Sequence, residues 1–160
     1  MNAWKDTLFE SILVESKDGE WGEGVPAVGL REALIIRGTD FTELSNPAAP
    51  FPRRWIRDHI VERKELRPGD LILETAGGTS KQSTGRSVLL KRLFFEEHQE
   101  LPVLCASFSR YLRLNRKEYS PRFIWYILQS LYSSGYMAVF NIQHTGVSSS
   151  NTQRLKTTPS

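Results

Sequence analysis

Leu66-Arg67-Pro68-Gly69-Asp70-Leu71-Ile72-Leu73-Glu74-Thr75 decides how the rest of the chain is read. Pro68-Gly69 between Arg67 and Asp70 predicts a tight turn, with Asp70 capping it, and Leu71–Thr75 then predicts a strand. Ala76-Gly77-Gly78-Thr79-Ser80-Lys81-Gln82-Ser83-Thr84-Gly85-Arg86-Ser87 follows, polar and flanked by glycine. The stretch from Ser87 to Phe95 is again strand-like, so the order is turn, strand, polar loop, strand. Such an arrangement lets a rigid sheet project a loop outward.

Toward the N-terminus, Ala33-Leu34-Ile35-Ile36-Arg37 reads as a buried strand ending at Gly38. Trp4, Leu8 and Ile12, four apart with Phe9 and Leu13 alongside, predict a short amphipathic helix over residues 4–14. A turn-rich loop spans Lys17–Pro26, and a Pro-rich connection runs from Asn46 to Pro52. Arg53, Arg54 and Arg57 come directly after it, and Glu62–Leu66 reads as one helical turn. Toward the C-terminus, Ala106, Phe108, Leu112 and Leu114 alternate with polar residues as a half-buried strand, with Arg110 interrupting the inward face. Ser120-Pro121 has the N-cap and N1 pattern of a helix carrying Ile124, Leu128, Leu131 and Tyr132 until Ser133-Ser134-Gly135. Met137–Ile142 reads as one more short strand, and Gly146–Ser160, rich in Ser, Thr and Asn, as a fraying tail.

A chain of 160 residues with 39% hydrophobic content falls in the single-domain range. Cys105 is the only cysteine, so no intramolecular disulfide or cysteine-rich zinc site can form, which suits a reducing cytosol. Trp4 to Ile12 is interrupted by Lys5, Asp6 and Glu10 and lacks the apolar run of a signal peptide or membrane span, so a cytoplasmic protein is expected. The net charge of +3 hides an asymmetry: residues 1–75 hold 10 Lys+Arg against 14 Asp+Glu, and residues 76–160 hold 11 against 4. The halves therefore carry −4 and +7. A basic half suits either a polyanionic partner or a solvated face.

Chemistry-bearing motifs mostly fail on spacing. Six residues separate Gly78 from Gly85, and Arg86-Ser87 leads into an apolar run, so the glycine-rich segment is not a nucleotide P-loop. Asp70 and Glu74 are candidate metal-binding carboxylates for a nuclease, but Thr75-Ala76 follows and no lysine stands two residues beyond Glu74. His59, His98 and His144 show no metal-type spacing, and no serine sits in a nucleophile elbow. What remains is a loop of Thr79, Ser80, Lys81, Gln82, Ser83, Thr84 and Arg86 whose side chains suit phosphates and base edges, or else an ordinary hairpin loop. Arg110, Arg113, Arg116 and Lys117 form a second basic cluster, with Tyr111 and Tyr119 as stacking or packing residues.

Asp18-Gly19-Glu20-Trp21-Gly22, Ile36-Arg37-Gly38-Thr39-Asp40-Phe41, Leu66 to Glu74, Gly85-Arg86-Ser87, Phe108 to Leu114 and Ser120 to Ser130 occur in an order that resembles the target-recognition domain of a type I restriction-modification specificity subunit. The similarity spans most of residues 18–155. It implies an α+β fold, a mixed and mostly antiparallel twisted sheet flanked by a few helices. One recognition domain over residues 1–150 and a flexible tail over 151–160 are expected, without the family's long spacer helices. The resemblance implies sequence-specific reading of half of a bipartite duplex DNA site, in defence against foreign DNA. Its partners would be double-stranded DNA, a methyltransferase (modification) subunit and, through the complex, a restriction motor-nuclease subunit. No catalytic residue, metal or cofactor is implied for this chain. DNA-contacting positions carry over as regions: the Gly77–Arg86 loop, the Arg53–Arg57 segment with Arg53, Arg54 and Arg57, and the Gln143-His144-Thr145 turn, with Arg37, Arg110 and Arg113 as further candidates. The alternatives are a protein-interaction module that docks a methyltransferase, or a metal-dependent nuclease.

Overall fold

A computed structural model describes residues 6–78 and 82–137. Seven strands form two sheets: β1 (Leu13–Asp18), β7 (Ser109–Leu114), β4 (Leu71–Glu74) and β5 (Ser87–Leu89) in one, and β3 (Arg53–Arg57), β2 (Leu30–Ile36) and β6 (Val103–Cys105) in the other, each in that spatial order. All strand pairs are antiparallel except β2–β6. Three helices complete the fold: α1 (Asp58–Lys64), α2 (Arg92–Glu97) and α3 (Pro121–Ser133). The class is thus α+β with mostly antiparallel sheets.

Side chains on a strand alternate faces, and here both faces of both sheets are covered. On the first sheet, Leu71, Leu112 and Leu114 pack against Ile124 and Leu128 of α3 and against Ile12. Ile72 and Tyr111 point the other way, into a shared cluster with Leu34, Ile36, Val103 and Cys105 of the second sheet and Phe94 of α2. The remaining face of the second sheet sends Ala33, Ile35 and Leu104 against Val61 of α1. The order of layers is therefore α3, first sheet, second sheet, α1. Burial on both faces explains why residues 33–36 form an unbroken apolar run rather than an alternating one.

The turn that opens β4 has the expected chemistry. Asp70 N–H donates to the Arg67 carbonyl at 3.0 Å, Gly69 takes φ +93°, and the Asp70 carboxylate accepts from Arg67 N–H at 2.8 Å. Ser120 caps α3 by accepting from Phe123 N–H, with Pro121 at the first helical position.

Four sequence expectations are corrected, the first being the single helical turn at Glu62–Leu66, which is instead the seven-residue helix α1 over Asp58–Lys64. Residues 4–14 are not an amphipathic helix where described: Phe9–Ile12 is a 3-10 turn and the chain enters β1 at Leu13. β1 is an edge strand whose inward positions include Glu15 and Lys17, so it carries no apolar alternation and pairing with β7 overrides local preference. The strand expected over Ser87–Phe95 ends at Leu89, because Phe94 reaches the inner cluster from α2, stacking edge-on against Phe51 at 5.5 Å. The strand expected from Ala106 begins at Ser109, with Phe108 turned outward at 63% exposure. β3 and β6 were not expected as strands: one reads as a run of arginines, and the other is a three-residue parallel strand paired across a long stretch of sequence. Of the expected strand Met137–Ile142 only Met137 is described, where the backbone is helical; residues 138–142 and the tail lie outside the described residues.

Candidate nucleic-acid interface

The connections that follow β1, β2, β4 and β6 meet at one end of the sheets. Gly19 N–H donates to the Ser109 carbonyl and Glu20 N–H to that of Cys105, both at 2.8 Å; Ala106 N–H reaches Ile36, and Thr75 N–H reaches Phe108, both at 2.9 Å. Gly19 permits this approach, since a Cβ there would lie 2.1 Å from the Ala106 carbonyl oxygen. Between these connections lies a cleft of about 470 Å³, walled by Trp21 and Phe108 and floored by Arg37, Thr39, Glu74 and Gly77.

The glycine-flanked loop rises beside this cleft. Its base is closed by Glu74 N–H donating to the Arg86 carbonyl at 2.9 Å and Gly85 N–H donating to that of Glu74 at 3.0 Å. Gly77 and Gly85 both take positive φ, +90° and +103°, which L side chains rarely adopt. Tyr132 of α3 donates to the Ser83 carbonyl at 3.4 Å, and Gln129 to that of Ser87 at 2.7 Å, so α3 braces the loop's second arm. Gln82 is exposed and Ser83 and Thr84 are half-buried. Thr79, Ser80, Lys81, Gln143 and His144 lie outside the described residues.

The candidate arginines divide sharply. Arg86 makes a two-pronged pair with Glu74, Nε to Oε2 at 2.9 Å and a terminal nitrogen to Oε1 at 2.8 Å, over the Phe41 ring. Hydrogen bonding to Glu74 raises the Arg86 pKa above its ordinary value, and Glu74 is only 7% exposed. Arg86 therefore clasps the loop base instead of reaching into solvent. Arg37 similarly grips Asp40 through Nε and a terminal nitrogen, at 2.9 and 2.8 Å. Arg110 pairs with Asp18 at 2.8 Å where both are exposed, an arrangement of little energetic worth that can be exchanged for another anion. Arg54 lies 4.7 Å above the Trp21 ring and donates to the Trp21 and Gly22 carbonyls, with no carboxylate partner among the described residues. Arg53 is exposed on β3 opposite Leu34, toward this same end.

Two candidates belong elsewhere. Arg57 stands opposite Leu30, at the other end of β3. Arg113, at the far end of β7, holds Asp70 at 2.9 and 2.7 Å and also pairs with Glu15. Asp70 and Glu74, weighed as a metal pair, thus sit at opposite ends of β4, each bound by an arginine. His98 packs between Phe51 and Phe94, while His59 is exposed on α1. Among the described residues no group of three or more His, Cys, Asp or Glu is arranged to hold a metal ion, and no helix is long and apolar enough to cross a membrane.

Two features escaped the sequence reading. Trp21 reads only as turn punctuation and Phe108 as an inward strand residue, yet they wall the cleft. At the opposite end, Lys91, Arg92, Arg116 and Arg122 border an open concavity of about 680 Å³, of which only Arg116 belongs to a basic cluster visible in the sequence. Comparison with protein-family models and with curated proteins finds no match to this chain.

Proposed function

We propose that this chain reads half of a bipartite duplex DNA target, as the recognition domain of a type I restriction-modification specificity subunit, and acts in the cytoplasm with a methyltransferase partner. The observation that carries the reading is the convergence of sequence-distant polar groups, Arg37, Arg53, Arg54, Gln82 to Thr84 and Arg110, at one end of the two sheets. Base reading needs hydrogen-bonding side chains on a support stiff enough to hold them at a groove, and the Glu74–Arg86 clasp with the α3 brace supplies that stiffness. The order of motifs in the sequence supports the family assignment independently.

Selection from a pool of random duplexes at low salt, with the methyltransferase subunit present, tests the reading. Enrichment of a short defined sequence is expected. Gln82→Ala should lose about 1–3 kcal/mol of discrimination at one position, whereas Arg53→Ala should weaken all duplexes alike. A pool that stays random through repeated rounds sinks the proposal.

A docking role toward the methyltransferase is compatible with the same chain, because α3 presents Phe123 and Tyr126 to solvent, 58% and 51% exposed. Co-purification with that subunit in the absence of DNA, lost in Phe123→Ser/Tyr126→Ser, is the expected result.

A further inference from the structure

We infer that the basic concavity at the far end of β5 grips the sugar-phosphate backbone of the same duplex whose groove receives the glycine-flanked loop. The inference rests on the DNA-reading proposal above and adds a second contact surface that the loop end does not contain.

The concavity is lined by four cations, Lys91, Arg92, Arg116 and Arg122, and one carboxylate, Glu96, a balance of +3. Glu96 is taken up by Arg92 at 2.8 Å. Lys91, Arg116 and Arg122 have no carboxylate partner among the described residues, in contrast to Arg37, Arg86, Arg110 and Arg113. Two of these guanidinium groups are nonetheless held in place. Arg116 donates to the Pro68 carbonyl at 3.2 Å and lies flat against the turn, where a Cβ at Gly69 would stand 3.3 Å from its central carbon. Arg122 donates to the Tyr126 hydroxyl at 3.4 Å. A concave surface rich in oriented cations and poor in free carboxylates concentrates phosphate.

Position supplies the link to DNA. β5 joins the two surfaces directly, with Gly85-Arg86 entering it from the loop and Leu90-Lys91 leaving it into the concavity. From Gly85 to Lys91 six residues of extended chain cover about 20 Å, roughly six base pairs of duplex at ~3.4 Å each. A duplex running along β5 from the loop would pass Lys91, Arg116 and Arg122 within about six base pairs of the groove that receives the loop.

The test measures binding of the whole chain to two labelled duplexes of about 20 base pairs, the selected sequence and a scrambled one, across a salt series. Wild type is compared with Lys91→Ala/Arg122→Ala, with Arg116→Ala and, as a control, with Arg63→Ala on the exposed face of α1. Each lost phosphate contact should lower the slope of log affinity against log salt by about 0.9, so the double variant should lose about 2 units of slope and bind both duplexes at least about tenfold more weakly at low salt. Its preference for the selected sequence should be unchanged, and so should its thermal midpoint. Wild-type slope and affinity in the double variant, while wild type still discriminates, would overturn the backbone grip and leave the reading of DNA intact. Binding that depends on Lys91 and Arg122 but never distinguishes the two duplexes would uphold the grip and overturn the half-site reading.

Discussion

Glu74 and Asp70 show how single side chains are assigned to structure or to recognition. Each is nearly buried and each accepts two hydrogen bonds from one guanidinium group, so their charges are matched where water cannot compensate them. Removing one member of such a pair leaves the other charge stranded, at a cost of about 3 kcal/mol or more. Glu74→Ala is accordingly expected to lower the urea midpoint strongly. A double-mutant cycle with Arg86→Ala should show that much of that loss is shared between the two partners. Under the DNA-reading proposal, Arg86→Ala would then reduce DNA binding through loosening of the loop base, and the defect should shrink on cooling or with a stabilising osmolyte. Cys105 is buried beside the Ser109 carbonyl, to which its thiol donates at 3.9 Å, and burial pushes that thiol up to about 12 from an ordinary value of 9.0. An unfolded chain releases this proton first, so the thiol's contribution to stability is complete below about pH 9 and declines as pH rises toward 12. Thiol reagents should modify native Cys105 only at the rate of unfolding, and rapid labelling of folded protein would contradict its placement.

Among the elements, the Arg67–Asp70 turn is constrained by its backbone. Gly69 takes φ +93°, which L side chains rarely adopt, and a Cβ there would crowd Arg116 at 3.3 Å, so Gly69→Ala is expected to cost about 1–2 kcal/mol in thermal denaturation. This turn, β4 and α3 were legible because each carries its own local signal: Pro-Gly before an apolar run, or Ser-Pro before apolar residues at helical spacing. β1, β3 and β6 carried none, since their stability comes from partners far along the chain. Arg113 opposite Glu15, Arg54 opposite Ala33 and the parallel match of Ile35 with Leu104 are all non-local. The site divided along the same line. The loop and its glycines could be read directly, but which arginines are clasped by carboxylates depends on pairings such as Glu74 with Arg86 and Asp18 with Arg110 that only the register brings together.

At the scale of the molecule, Ile72 and Tyr111 lie where the two sheets meet, both fully buried, and they tie the loop-bearing sheet to its neighbour. Ile72→Ala should cost about 3 kcal/mol by urea unfolding, in the range for large-to-small core substitutions, and a loss below 1 kcal/mol would mean that the sheets pack more loosely than described. Electrostatically the fold is two-ended, with arginines largely neutralised by carboxylates beside the cleft and uncompensated cations around the concavity. The clasp of Glu74 by Arg86 has a consequence for sequence exchange. It seals the hairpin beneath Gly77 and Gly85, so substitutions at residues 79–84 are expected to leave the buried layers below intact, which an unchanged urea midpoint would show. Under the DNA-reading proposal, exchanging those residues is expected to change which duplex is selected while the scaffold folds as before.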